Sequence, residues 1–462
     1  MIGAFIIVYL LLSVLIGLCA ARKVRSEEDF VLAGKRLPMY MSVTLVFATW
    51  FGSETILGST AVFLEEGWVG VAEDPFGAAL CLFLVGLFFA RPLYRMNLLT
   101  FGDFYRNTFG KRAELISGIF LVISYLGWVA AQLVAMAIVL TTIFPALAFF
   151  PALIICTMIV TIYTVSGGMW SVSVTDFVQT IVIVVGLIVV AIAATNQAGG
   201  WNEVTNNLPE QFSTYTPHKS WEAWLSYIAA WMTIGLGSIP QQDVFQRVMS
   251  AKSEKAAVRS SIMGGAMYLT VAMIPLYVVW CALKSGGDVL QGEQTLPLYI
   301  VHHLSPWIQV LFFGALLSAV MSTASGALLA PAVILSENII QPMMERRNKK
   351  VNALFVTRVS VIVLSLSSLL LALDGSSVFA LVRQASEISL VSLFVPLCAG
   401  LFLKYKNETG AIWSMITGFV VWMIGSWMEF AIPPMLVGLT VSALTLGMFY
   451  VLLPRGNDQI QH

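Results

Sequence analysis

Between Ser318 and Ser325 the chain reads Ser-Ala-Val-Met-Ser-Thr-Ala-Ser, a run of small hydroxyl residues inside an apolar segment. Hydrocarbon offers hydroxyls no water, so such a cluster must face a partner helix, a cavity or an ion. Ser322 and Thr323 are adjacent, and Ser318 and Ser325 lie within one turn of one or the other. Oxygen ligands of this kind suit a hard cation such as Na+, completed by backbone carbonyls from an unwound helix elsewhere. The plainer reading is helix packing, because Ser, Thr, Ala and Gly let backbones approach closely. On these residues alone both readings stand.

The elements that must position this cluster are membrane helices. Of 462 residues, 58% are apolar and 11% charged, and the mean hydropathy is +0.85. Soluble chains carry roughly 25% charged residues, so the composition reads as an all-α polytopic membrane protein. The five cysteines, Cys19, Cys81, Cys156, Cys281 and Cys398, are dispersed through apolar runs. That pattern argues against a disulfide framework or a metal site. The apolar run 2–21 has no basic residue before it and five after it, the reverse of a secretory signal. It is expected to remain as a helix.

Segments of about 20 apolar residues predict thirteen transmembrane helices, at 2–21, 38–63, 72–91, 114–143, 149–170, 175–195, 221–246, 257–283, 306–340, 352–373, 377–402, 409–429 and 434–453. Twenty-one of the 25 basic residues then fall in alternate loops, including Arg247 and Arg455, against only Lys219 and Lys284 in the opposite ones. The positive-inside rule accordingly puts the N-terminus outside and the C-terminus in the cytoplasm of an inner (plasma) membrane.

Thirteen helices accommodate two five-helix repeats of opposite orientation, 38–195 and 221–403. They are preceded by 1–37, separated by an extracellular loop 196–220, and followed by two helices and a tail at 404–462. The first helix of each repeat carries an interruption. One reads Ala48-Thr-Trp-Phe-Gly-Ser-Glu-Thr-Ile-Leu-Gly58, the other Thr233-Ile-Gly-Leu-Gly-Ser-Ile-Pro-Gln-Gln-Asp243. Glycine costs a helix about 1 kcal/mol and proline about 3. Matching interruptions in two halves point to a transporter's substrate site.

With these residues in view, the sequence resembles the sodium:solute symporter family, which has a leucine-transporter-type fold with a 5+5 inverted repeat. The resemblance rests on Gly167-Gly-Met-Trp-Ser-Val-Ser-Val-Thr-Asp-Phe-Val-Gln179, on Phe101-Gly-Asp-Phe-Tyr-Arg106 with Phe109-Gly-Lys-Arg112, on Ile239-Pro-Gln-Gln-Asp-Val-Phe-Gln-Arg-Val248, and on the Ser318–Ser325 cluster. Ala48-Thr-Trp50, Gly86-Leu-Phe-Phe-Ala-Arg91 and Phe245-Gln-Arg-Val248 resemble the choline-transporter-like branch. The resemblance implies a Na+ site made by the carbonyls of Ala48, Phe51 and Ala319 and the hydroxyls of Ser322 and Thr323. It also implies a possible second Na+ site at Asp176 and Ser325, although Gly326 stands where a further serine would serve. The alternative for Asp176 is structural, a helix cap or a pair with a nearby arginine.

In such a fold the substrate candidates gather from four helices: Trp50, Glu54 and Thr55; Tyr125, Trp128 and Gln132; Gln241 and Gln242 with Asp243; and a gate or ion pair, Arg383 with Glu387, four residues apart on one helix face. An intramembrane carboxylate is functional by default, which singles out Glu54, with a capping or gating hydrogen bond as its plainer role. The tryptophans could equally be interface anchors. Aromatics plus a carboxylate suit an amine or quaternary ammonium. Gln241, where the choline branch has an aromatic, favours a hydroxylated or amide-bearing solute. Glu65, Glu66, Glu73 and Asp74 read as solvated loop charge.

The expected function is Na+-coupled symport, importing a small organic solute by alternating access, with Na+ as the co-transported ion and no organic cofactor. The expected partners are that solute, Na+ and the lipid bilayer, with no nucleic acid. The alternatives are an H+-coupled transporter and a solute-binding membrane sensor. No nucleophile–base pair or metal set indicates an enzyme.

Overall fold

The computed structural model describes residues 2–22, 24–205, 212, 214–217, 220–285, 292–348 and 352–452. Lys219, Arg455 and part of the 196–220 loop lie outside the described residues. The described chain is helical, with nine helices long and apolar enough to cross a membrane and two shorter apolar ones, Met39–Trp50 and Phe149–Ile162. Helix α1 (Ile2–Ala21) packs against two later helices, and its Tyr9 hydroxyl is hydrogen-bonded to the Ser318 hydroxyl.

Both expected interruptions are real breaks. Helix α2 (Met39–Trp50) stops at residues 51–53 and resumes as α3 (residues 54–70), whose first turn, Glu54–Gly58, is wound as a π-helix. Such turns widen the helix and recur at functional sites. Helix α4 (Ala72–Arg95) follows, then the short α5 (Phe101–Thr108), capped by Thr100, and α6 (Lys111–Ile143). The second break separates α8 (Trp221–Gly237) from α9 (Gln242–Met249) across Ser238 to Gln241.

Between these pairs lies α7 (Phe149–Gln197), which spans two expected helices without a loop. It bends at Gly168, whose φ of 53° and ψ of −155° are open to glycine alone. The two expected helices therefore meet at Gly168, a few residues before the loop expected near 171–174, with a sharp kink in place of that loop. The remaining helices are α10 (Glu254–Lys284), α11 (Thr295–His303), α12 (Pro306–Glu345), α13 (Ala353–Ala372), α14 (Val378–Phe402), α15 (Glu408–Trp427) and α16 (Pro434–Leu452).

Two groups position the site. Helix α10 packs on α2 and α4, and α8 packs on α4. Separately, α12 packs on α6, α7 and α13, and is almost wholly buried. The α2–α3 break lies where these groups meet.

A Cβ at Gly168 would sit 2.5 Å from the Phe30 ring, in a backbone region forbidden to other residues. Gly168→Ala is expected to cost about 1–3 kcal/mol, read as a fall in melting temperature. An unchanged melting temperature would mean that the kink does not depend on glycine.

Candidate functional site

The break brings α2, α3, α6 and α12 to one point. A Cβ added to Gly52 would lie 2.7 Å from Thr323 Oγ1, 2.9 Å from Glu54 Oε2 and 3.0 Å from Gln132 Oε1. Only glycine admits three oxygens so close to the backbone. Thr323 does not bond back to its own helix. Its hydroxyl reaches across to the carbonyls of Ala48 at 3.3 Å and Phe51 at 3.4 Å. These long, shared contacts leave the carbonyls weakly satisfied, as a cation site requires. Ala319 lies one turn earlier on the same buried helix.

Ser322 turns the other way. Its hydroxyl donates to Asp176 Oδ1 at 2.5 Å, which leaves its lone pairs free to accept or coordinate. Asp176 is fully buried in α7, eight residues beyond the kink, so it caps no helix end. Its other oxygen, Oδ2, lies 3.6 Å from Arg247 Nη1 and has no hydrogen-bond partner. Ser325 does not join it, because its hydroxyl donates to the Ser322 carbonyl of its own helix. The two residues expected at a possible second Na+ site are thus not joined: Asp176 bonds to Ser322 and, as its structural alternative had it, stands against an arginine, Arg247. Arg247, counted in the sequence as loop charge, is 1% exposed.

Gln132 bridges the break. Its Oε1 accepts the Ser53 N–H at 3.2 Å and its Nε2 donates to Glu54 Oε2 at 3.0 Å. Trp50 and Trp128 lie face to face obliquely, with ring centroids 4.7 Å apart. The structure brings together Trp50, Glu54, Trp128 and Gln132, all fully buried. Six polar atoms of the site candidates have no hydrogen-bond partner: Trp50 Nε1, Glu54 Oε1, Trp128 Nε1, Asp176 Oδ2, Gln241 Oε1 and Gln242 Nε2. Buried polar groups left unpaired are rare and call for an explanation.

Other candidates are already engaged. Thr55 bonds to the Trp50 carbonyl and to Tyr268, and Tyr268 donates to Asp74. Tyr125 donates to Asp243 at 2.5 Å and accepts its N–H at 2.8 Å, tying α6 to the start of α9. Gln242 accepts the Phe101 N–H at 2.7 Å, so it fastens α5 and does not face the tryptophan pair. Its neighbour Gln241 donates to Ser389 at 3.3 Å.

The expected Arg383–Glu387 pair does not form. Arg383 Nε lies 2.8 Å from Glu73, a carboxylate only 1% exposed. Glu387 instead accepts the Trp422 indole N–H at 2.7 Å. A buried carboxylate left alone is far costlier than a partly exposed one, so the arginine goes to Glu73. Glu73 and Asp74 are therefore not solvated loop charge, while Glu65 and Glu66 are exposed. The last two line a vestibule of about 770 Å³ whose wall also includes Tyr227 and Arg383. Trp50, Glu54 and Trp128 are not among its lining residues. Sequence reasoning missed Tyr268 and Asp74, which support the break from α10 and α4. Their signal was a buried Tyr and Asp inside apolar helices.

The sequence profile of the sodium:solute symporter family matches residues 30–418. This chain belongs to that family. It is a secondary transporter and not an enzyme, a symporter that couples Na+ to a small solute. The symporter is 27% identical to high-affinity choline transporter 1 of Drosophila melanogaster over 440 residues, covering 91% of this chain and 70% of that one. It is 27% identical to the Homo sapiens choline transporter over 446 residues, 91% and 76% of the two chains. It is 24% identical to the sodium/proline symporter of Haemophilus influenzae over 451 residues, 91% and 87% of the two chains. Its fold matches that of a Na+-coupled sialic acid symporter solved in a substrate-bound outward-open state, with a TM-score of 0.80, 18% identity and 98% of both chains covered.

Thr323→Ala is expected to raise the Na+ concentration for half-maximal stabilisation about tenfold, the loss of roughly one hydrogen-bond equivalent. Ser325→Ala, whose hydroxyl serves its own helix, should leave it within about twofold. Na+ titration of the melting temperature in both variants checks this. Equal effects would remove the distinction between the two hydroxyls.

Proposed function

We propose that this symporter imports a small ammonium-bearing solute with Na+ held at the α2–α3 break. The observation that carries the reading is a close tryptophan pair whose two buried indole N–H groups have no partner, together with the unpartnered buried Oε1 of Glu54. An ammonium group would meet Glu54 and the ring faces. An acceptor on the same solute, a hydroxyl or carboxylate, would meet the indole N–H groups. The names of the choline and proline transporters are compatible with such a solute.

Na+ would be cargo, bound by the carbonyls of Ala48, Phe51 and Ala319 and the hydroxyls of Ser322 and Thr323. Binding there would draw the broken helix onto α12 and favour the conformation that accepts solute. One charge moving through 100 mV releases about 2.3 kcal/mol. A tenfold Na+ gradient adds about 1.4 kcal/mol. Together they sustain roughly several-hundredfold accumulation of a neutral solute per Na+.

The architecture we infer has thirteen crossings and two inverted five-helix repeats, 38–195 and 221–403. In the plasma membrane its N-terminus would face outward and its C-terminus the cytoplasm. The vestibule would then open outward, and Arg383 with Glu73 would form a gate between it and the tryptophan pair.

The test is a thermal-stability screen of purified protein against amines, quaternary ammonium compounds, amino acids and sugars, in Na+ and again in K+. A ligand at a hundred times its Kd adds about 2.7 kcal/mol to the native state. The expected hit is an ammonium solute that stabilises only in Na+ and is lost in Glu54→Gln. A sugar hit unaffected by Glu54→Gln would overturn the substrate class. Stabilisation that follows pH and ignores Na+ would assign coupling to H+. Ligand binding without any uptake into proteoliposomes would indicate a sensor.

A further inference from the structure

Arg247 is an interior guanidinium with an unusual setting. It is 1% exposed, and its Nη1 donates to the Leu45 carbonyl of α2 at 3.0 Å. Its Nη2 donates to the Ser322 carbonyl of α12 at 3.4 Å, and Asp176 Oδ2 on α7 is 3.6 Å from Nη1. The guanidinium therefore sits between α2, α7 and α12, on the far side of Ser322 from its neighbour Thr323. It fits there because residue 326 is glycine. A Cβ on Gly326 would lie 2.1 Å from Nη2 and 3.0 Å from Cζ.

These are the residues to which a second Na+ site would have to look. Asp176 supplies a carboxylate, one oxygen of which accepts the Ser322 hydroxyl proton, while the other has no hydrogen-bond partner and faces Arg247 Nη1 at 3.6 Å. Ser325 donates its hydroxyl proton to its own helix and makes no bond to Asp176, so it could offer an ion only its lone pairs. Gly326 supplies no oxygen, and the room beside it is filled by a fixed positive charge. The residues present do not fit a second Na+.

Building on the Na+ site proposed at the break, we infer that Arg247 is a resident cation occupying the place of a second Na+, so that the symporter carries one Na+ per cycle. The guanidinium neutralises Asp176 permanently and lets it act only as an acceptor orienting Ser322. A Na+ entering beside Asp176 would meet the like charge of Arg247, with no oxygen from residue 326 to offset it. The accumulation limit is then the several-hundredfold figure of one ion and not its square. Because Arg247 also holds the Leu45 carbonyl of α2, it ties the ion site's helix to α12 in the absence of any second ion.

The experiment is equilibrium binding of sodium-22 to purified full-length protein by scintillation proximity, with Na+ itself as the probe. The wild type is expected to bind one equivalent with a Hill slope near 1, and Thr323→Ala to lose it. Arg247→Gln combined with Gly326→Ser should raise the count to two. If that variant does not fold, the wild-type count still decides. Two equivalents in the wild type, one surviving in Thr323→Ala, would overturn the resident-cation inference and leave the break site standing. No binding by the wild type would overturn both.

Discussion

A helix that unwinds inside hydrocarbon frees amide and carbonyl groups that no lipid can satisfy, and the rest of this structure answers that one requirement. At residues 51–53 the answers come from three other helices. Gln132 accepts the Ser53 N–H, Thr323 reaches the carbonyls of Ala48 and Phe51, and Thr55 returns to the Trp50 carbonyl while leaning on Tyr268. The carbonyl contacts are the weakest of these, at 3.3 and 3.4 Å, which is what makes the break a place where a cation can compete. Gly52 is the residue that allows it, since any Cβ would fill the space in which the oxygens converge.

Charge is handled by the same economy. Three interior carboxylates tie separate elements together: Asp176 joins α7 to α12 through Ser322, Asp243 joins α9 to α6 through Tyr125, and Glu73 joins α4 to α14 through Arg383. Removing one partner from such a pair leaves an uncompensated charge, so these ties specify register strongly even where their net stabilisation is small. Glu54 differs. One of its oxygens is held by Gln132 and the other has no hydrogen-bond partner, a condition shared by the Trp50 and Trp128 indoles. A transporter's solute site must be unsatisfied in the absence of solute, or binding would gain nothing.

Much of this was legible in the sequence because hydrocarbon is a strict solvent. The all-helical class and nine membrane-length helices among the described residues follow from apolar length, and both breaks from glycine and proline among polar residues. What escaped was partner choice. Arg383 and Glu387 have good helical spacing, yet spacing cannot reveal that buried Glu73 stands closer to the arginine. Gln242 sits in a family-like motif beside Gln241, but Gln241 belongs to the extended break while Gln242 opens α9 and faces α5. Arg247 was counted with loop charge because it lies near a helix end, and only three-dimensional packing shows it enclosed by α2, α7 and α12. Glu73 and Asp74 misled for the same reason.

The central claim is that Na+ binds at the α2–α3 break. Hydrogen–deuterium exchange of the purified protein in Na+ and in K+ at equal ionic strength tests it most directly, because a bound ion fixes backbone that is otherwise weakly held. The account predicts Na+-specific protection confined to peptides spanning residues 48–58 and 319–326, with the lipid-facing helices α15 and α16 unchanged. Identical exchange of those peptides in the two salts would contradict it.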